Sequence, residues 1–148
     1  MDNQEFQPPI SIQKKRIPHY YGDSMRVTFI ATAILTAVAM PIWGNLLPFG
    51  DMAGIISILV LVFLAGITNP HSTLIMLLNA LLSGIGIFLL QAAAISFYKV
   101  DSVMLFLLRE IAVILLLFAF YYSVKSVRSM MLGKIGNEGK PDEFEKKQ

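Results

Sequence analysis

The chain has 148 residues, of which 55% are hydrophobic and 15% are charged, with a formal net charge of +2 and no cysteine. The absence of cysteine excludes disulfides, thiol nucleophiles, thiolate metal ligands and S-palmitoylation. Between Val27 and Tyr98 the only formally charged residue is Asp51, and Ile111 to Val124 carry no charge. A soluble domain could not bury so much uncharged surface, so the sequence predicts an integral membrane protein.

The first 26 residues are predicted to be a polar and basic cytoplasmic tail, because they hold too few apolar groups to form a core. A signal peptide is the alternative interpretation, since Lys14, Lys15 and Arg16 precede an apolar run with small residues at 37–39. We expect no cleavage there, because the leader is long for a signal peptide and the apolar run continues past the small residues.

Four apolar segments of helical length follow, at 27–46, 52–68, 72–97 and 102–124. A bilayer core about 30 Å thick needs about 20 helical residues, so each segment is long enough, or nearly so, to cross it. The connections are short and contain Gly, Asn, Asp and Pro, and such connections force neighbouring helices to be antiparallel. The sequence therefore predicts an all-α membrane protein, a four-helix transmembrane bundle with up-down-up-down topology.

Local patterns add detail to the first three spans. In the first span, Pro41 should bend or end the helix. The same span carries Thr28, Thr32 and Thr36, whose spacing of four residues is typical of a helix-packing face. Asn69 is suited to cap a third helix that begins at Pro70. In that helix the small residues Ala80 and Gly84 should let the fourth helix approach closely.

Arg109 and Glu110 are unexpected in the otherwise apolar fourth span. Both lie about 10 Å from the start of that helix, and their side chains can lean back toward it. If the third and fourth spans form a hairpin, Gln91 lies beside Arg109. We therefore predict that Gln91 hydrogen-bonds into a polar cluster with Arg109 and Glu110. The same register predicts a second polar contact, between Asn79 and Tyr121.

Residues 125–148 are predicted to be a cytoplasmic C-terminal tail, mostly disordered after 133. Of the twelve Lys and Arg, all but two lie at or before Arg26 or at or after Lys125. This distribution predicts that both termini are cytoplasmic, in a plasma or inner membrane. A collar that attracts anionic lipid head groups is predicted from Lys14, Lys15, Arg16, Arg26, Lys125 and Arg128.

Nothing in the sequence indicates an enzyme: no nucleophile with a neighbouring base, no glycine loop for phosphate and no metal-ligand spacing is present. We expect no cofactor, no metal and no nucleic-acid partner. The pattern favours a non-catalytic accessory, assembly or scaffold subunit that acts through helix packing, in a homo-oligomer or a larger membrane complex. The alternative is an oligomeric small transporter or channel that uses Glu110 and Arg109 as an ion or proton site. The chain is similar to the small multidrug exporters in size only, because its first span lacks their membrane-embedded Glu.

Overall fold

The computed structural model describes residues 21–47, 49–68 and 72–132. In these ranges the chain forms four helices, α1 (Gly22–Trp43), α2 (Asp51–Ile67), α3 (Thr73–Ser96) and α4 (Val103–Met131). The predicted all-α four-helix architecture is confirmed. Lys14, Lys15 and Arg16, and the predicted disordered tail after 133, lie outside the described residues.

The helix lengths and composition fit a membrane. α1, α3 and α4 are each long and apolar enough to cross one. α2 has 17 residues, which is about 25 Å and slightly less than the bilayer core of about 30 Å. Large apolar side chains are exposed on all four helices, as expected where lipid rather than water surrounds the protein. The structure therefore supports an integral membrane protein with three long helices and one shorter one.

Helices α1 and α4 extend into both predicted tails. α1 begins at Gly22, before the predicted start at 27, and α4 continues to Met131, past the predicted end at 124. Pro41 lies two residues before the end of α1, which confirms that it helps to end the helix. Gly44 follows with φ 101° and donates its N–H to the carbonyl of Ala39, a backbone conformation that glycine adopts at little cost.

Serine residues begin the other two long helices. The Ser72 hydroxyl accepts a hydrogen bond from the Ile75 N–H at 3.4 Å, and Ser102 does the same for Leu105 at 3.2 Å. The predicted start of α3 at Pro70 is therefore wrong, because the helix begins at Thr73 after the Ser72 cap. Asn69 and Pro70 themselves lie outside the described residues.

The helices pack in the spatial order α2, α1, α4, α3. The α3–α4 contact is the most extensive, and a Cβ at Gly84 would lie 3.6 Å from the Phe120 ring. Ala80 is also buried, so the predicted close approach at Ala80 and Gly84 is confirmed. α2 and α3 are consecutive in the chain but barely touch.

A cavity of about 330 Å³ separates α2 from α3, and we call it the α2–α3 cavity. Its floor comes from α1 and α4, including Thr32, Thr36 and Leu116. Thr32 and Thr36 are buried, and each hydroxyl donates at 2.8 Å to the carbonyl four residues earlier in α1. The predicted threonine face is therefore a packing face whose hydroxyl protons are satisfied within their own helix.

Candidate functional site

The polar contacts that join different helices and connections lie at the two ends of the bundle. We call one the loop end, because it carries the α1–α2 and α3–α4 connections. We call the opposite one the terminal end, because the described chain starts and stops there: Tyr21 stacks on Tyr122 with ring centroids 5.8 Å apart. Near this stack, the Ser123 hydroxyl lies 2.9 Å from the Met25 sulfur and donates to the carbonyl of Ala119. The start of α1 therefore packs against the last turns of α4.

Arg109 is the centre of the loop end. It is 2% exposed, and its Nε donates at 2.7 Å to the main-chain carbonyl of Leu46. Its Nη1 forms an ion pair with the Asp101 carboxylate. The guanidinium carbon also lies 6.0 Å from the centroid of the Phe97 ring. We call Arg109, Asp101 and Leu46 the loop-end cluster; it ties the two connections of this end to one side chain.

The predicted depth of Arg109 explains these contacts. Its side chain leans back toward the N-terminus of α4, as expected for a helical side chain, and so reaches the connection that precedes the helix. There Asp101 compensates its charge and Leu46 accepts another of its protons. A buried guanidinium without such partners would be costly, so both contacts are needed for Arg109 to occupy this position.

The predicted hydrogen bond between Gln91 and this cluster is not formed. Within the described part of the chain, the Gln91 Oε1 and the Glu110 Oε1 are both buried and have no hydrogen-bond partner. A carbonyl and a carboxylate satisfy a guanidinium better than one amide does, so the connections supply the partners of Arg109. The pairing of Asp101 with Arg109 was not predicted from the sequence. An acidic residue just before a helix that carries an Arg in its second turn could have indicated this ion pair.

Thr68 is the centre of the terminal end. Its carbonyl accepts at 2.5 Å from the Arg26 Nη2, and its hydroxyl accepts at 3.1 Å from the Asn79 Nδ2. The same hydroxyl donates at 2.7 Å to the carbonyl of Leu64. Thr68 and Asn79 are both almost completely buried. We call Arg26, Thr68 and Asn79 the terminal-end cluster; it joins α1, the end of α2 and α3 at one residue.

The predicted contact between Asn79 and Tyr121 is wrong. Asn79 is completely buried and donates to Thr68, whereas Tyr121 is 55% exposed and packs against the ring of Tyr122. Matching depth in a hairpin does not make two residues meet, because each side chain must also point toward the shared interface. Asn79 points into the bundle and Tyr121 points away from it.

Three residues of the predicted collar are described, and all lie near the terminal end. Arg26 belongs to the terminal-end cluster, and Arg128 is exposed in the last turn of α4. The Lys125 ammonium lies 4.3 Å from the Tyr21 ring centroid and 5.6 Å from that of Tyr121. This contact with the Tyr21 side chain is the main cause that raises the pKa of Lys125, one residue beyond the predicted fourth span.

In the described ranges, no three His, Asp or Glu side chains come together as a set of metal ligands. Comparison with protein-family models, curated proteins and solved structures finds no match for this chain. Function is therefore inferred from the packing and the polar contacts of the chain itself.

Proposed function

We propose that this protein is a non-catalytic membrane subunit, an accessory, assembly or scaffold component that acts through helix–helix packing. The observation that supports this role best is the use made of Arg109. A buried cation in a membrane helix is a candidate transport or binding group by default. Here two of its nitrogens hold the Leu46 carbonyl and the Asp101 carboxylate. These contacts support a structural role for Arg109.

The outer faces of the bundle offer surface for a partner. α2 is an edge helix that packs mainly on α1 and buries only three of its residues, Gly54, Leu64 and Ala65. α3 is the opposite edge and packs mainly on α4. Exposure of such apolar faces to lipid costs no free energy, and another helix can cover them through van der Waals packing alone. We infer that assembly uses these edge helices.

The orientation of the protein is part of the same proposal. The two ends of the described chain meet at the terminal end, where Arg26, Lys125 and Arg128 also lie. Lys99 is the only Lys or Arg in the described connections. By the preference of cations for the cytoplasmic side, we infer that the terminal end faces the cytoplasm of a plasma or inner membrane. The cations there would also meet anionic lipid head groups.

Disulfide cross-linking in native membranes tests the assembly proposal cleanly, because the chain contains no cysteine. Leu59→Cys and Phe88→Cys place single thiols on the exposed faces of α2 and α3, and Val100→Cys in the α3–α4 connection is the control. We expect cross-linked species of defined mass from one or both helix positions and little from Val100→Cys. If every exposed position of α2 and α3 stays uncross-linked and the protein is monomeric in nanodiscs, the proposal is wrong.

One observation favours a second candidate, an oligomeric transporter or channel. Glu110 lies in the second turn of α4, and its buried Oε1 has no hydrogen-bond partner among the described residues. Such a carboxyl group is a candidate ion or proton site. A flux across liposomes that Glu110→Gln abolishes while the mass of the assembly stays unchanged would favour transport. A change in assembly without any flux would favour the scaffold.

A further inference from the structure

The α2–α3 cavity is apolar and opens sideways between two helices. Apolar side chains of all four helices line it, and its rim includes Ile56, Val60 and Ile85, which are substantially exposed. Four hydroxyl groups also line it, those of Thr32, Thr36, Ser57 and Ser83. Each of these hydroxyls donates to a carbonyl of its own helix. The cavity therefore offers its occupant apolar contact and no free hydroxyl proton.

The dimensions of the cavity match one lipid chain. Along α2 its lining extends from Ala53 to Leu64, which is about 16 Å at the helical rise. One leaflet contributes about half of a hydrocarbon core of about 30 Å, so this length corresponds to one leaflet. An extended acyl chain can follow this lining from one end to the other.

A cation lies at the terminal end of this cavity. Phe29 and Leu64 line the cavity, and one turn farther along their helices come Arg26 and Thr68, which hydrogen-bond to each other. The Arg26 side chain is 42% exposed, so part of its guanidinium is accessible from outside the bundle. An accessible guanidinium suits a phosphate group, which it can bind through charge-assisted hydrogen bonds.

Asp23 is the only acid described near Arg26, with its Oδ1 3.7 Å from the Arg26 Nη1. The Asp23 side chain is 72% exposed, so the pair is weakly held and screened by solvent. It reduces the attraction of Arg26 for an anion, but at 3.7 Å it forms no hydrogen bond with the guanidinium. Removal of this carboxylate should therefore strengthen binding of an anionic head group.

We propose that the α2–α3 cavity binds one anionic phospholipid, with an acyl chain between α2 and α3 and the phosphate at Arg26. The lipid fills the gap that the helix order α2, α1, α4, α3 leaves open. A free phosphate would leave the apolar cavity empty, and an apolar partner helix would supply no anion for Arg26. This inference goes beyond the scaffold proposal and does not depend on assembly.

Native mass spectrometry of the full chain released from nanodiscs tests the proposal. The nanodiscs contain equal amounts of phosphatidylglycerol and phosphatidylcholine with identical chains. We expect wild type to retain one phosphatidylglycerol preferentially. Arg26→Gln should lower the preference about fivefold, the factor that corresponds to about 1 kcal/mol for one cation at a membrane surface. Asp23→Asn should raise the preference.

The acyl-chain site is tested by filling the cavity. Ser57→Phe adds a ring inside it, and Ile55→Phe adds the same ring two residues earlier, on the exposed face of α2 and outside the lining. We expect Ser57→Phe to lose the retained lipid and Ile55→Phe to keep it. Circular dichroism and monodispersity establish that both variants are folded; if Ser57→Phe is not, Ser57→Leu replaces it.

Two results would overturn the proposal. Equal retention of the two lipids by wild type would remove the role of Arg26. Unchanged lipid retention by a folded Ser57→Phe or Ser57→Leu would show that the bound lipid lies outside the cavity. The cross-linking experiment on α2 and α3 is unaffected by either result, so the lipid site and the scaffold role can fail separately.

Discussion

The Nε of Arg109 donates at 2.7 Å to the main-chain carbonyl of Leu46, a residue 63 positions earlier in the sequence. This bond joins the connection between α1 and α2 to the second turn of α4, and Asp101 adds the α3–α4 connection. One buried side chain thus holds both connections of the loop end. Because α2 and α3 barely touch, this link and the Thr68 link at the opposite end hold the edge helices in place.

Arg109→Met should destabilise the protein by about 2 to 3 kcal/mol, because it leaves the Leu46 carbonyl and the Asp101 carboxylate without their charged donor. Unfolding in mixed micelles of increasing SDS fraction measures the loss. Lys99→Met is the matched control, since Lys99 is exposed in the α3–α4 connection and should contribute little. Equal stability of the two variants would contradict a structural role for the loop-end cluster.

Gly54→Ala should destabilise α2 packing by about 1 to 3 kcal/mol. A Cβ at this position would lie 2.5 Å from the Asn45 Oδ1 and 3.2 Å from the Met40 sulfur. Asn45 cannot move away freely, because its Nδ2 donates at 2.8 Å to the Asp51 carboxylate.

Gly66→Ala is the control for this substitution. A Cβ at Gly66 has no atom within 4 Å, so alanine there should be neutral or stabilise the helix. The same SDS titration compares the two variants. Similar losses from both would show that helix propensity, rather than close packing on Asn45, controls the effect.

Asn79 and Thr68 should be energetically coupled. A double-mutant cycle of Asn79→Ala and Thr68→Ala isolates the 3.1 Å hydrogen bond between their side chains. We expect a coupling energy of about 0.6 kcal/mol, and at most about 1.7, as for hydrogen bonds between other membrane helices.

The cycle of Asn79→Ala with Tyr121→Phe is the matched control, because Tyr121 lies on the outer surface of α4. Its coupling energy should be near zero. The opposite ranking of the two cycles would favour the contact that the hairpin register predicted from the sequence.

Contact between Lys125 and Tyr21 should make stability depend on pH at the alkaline end. The contact with the Tyr21 side chain raises the pKa of Lys125 above its ordinary value of 10.5. A cationic group whose pKa is higher in the folded than in the unfolded state contributes its full stabilisation of the fold at pH values below the unfolded-state pKa. That contribution is lost as the pH rises through the folded-state pKa. The difference in stability between wild type and Lys125→Met should therefore be constant from neutral pH to about pH 9 and disappear above 10.5.

Arg128→Met is the control, since Arg128 is exposed in the last turn of α4 and its guanidinium stays ionised throughout this range. The difference between wild type and Arg128→Met should not vary with pH. Fluorescence of Trp43, the single tryptophan of the chain, during SDS titration at each pH supplies the measurement. A pH-independent difference for Lys125→Met would mean that the contact does not stabilise the start of α1.

Several features were predictable from local sequence. The run from Val27 to Tyr98, with Asp51 as its only formal charge, required a medium other than water. The breaks in this run separated the helices to within a few residues. Pro41 ended α1, and the depth of Arg109 made its side chain lean back toward the connection before α4. These predictions succeed because chain stiffness, missing backbone protons and side-chain direction act over one or two helical turns.

The tertiary structure alone decided which helices meet and which polar groups pair. Sequence neighbours α2 and α3 are separated by a cavity, whereas α1 and α4, at opposite ends of the chain, are packed together. Gln91 and Tyr121 were assigned partners by depth, but the rotation of each helix about its axis decides which side chains face each other. That rotation depends on the fit of all contacting faces at once, and in a chain whose lipid-facing and inward-facing residues are equally apolar, no sequence pattern records it.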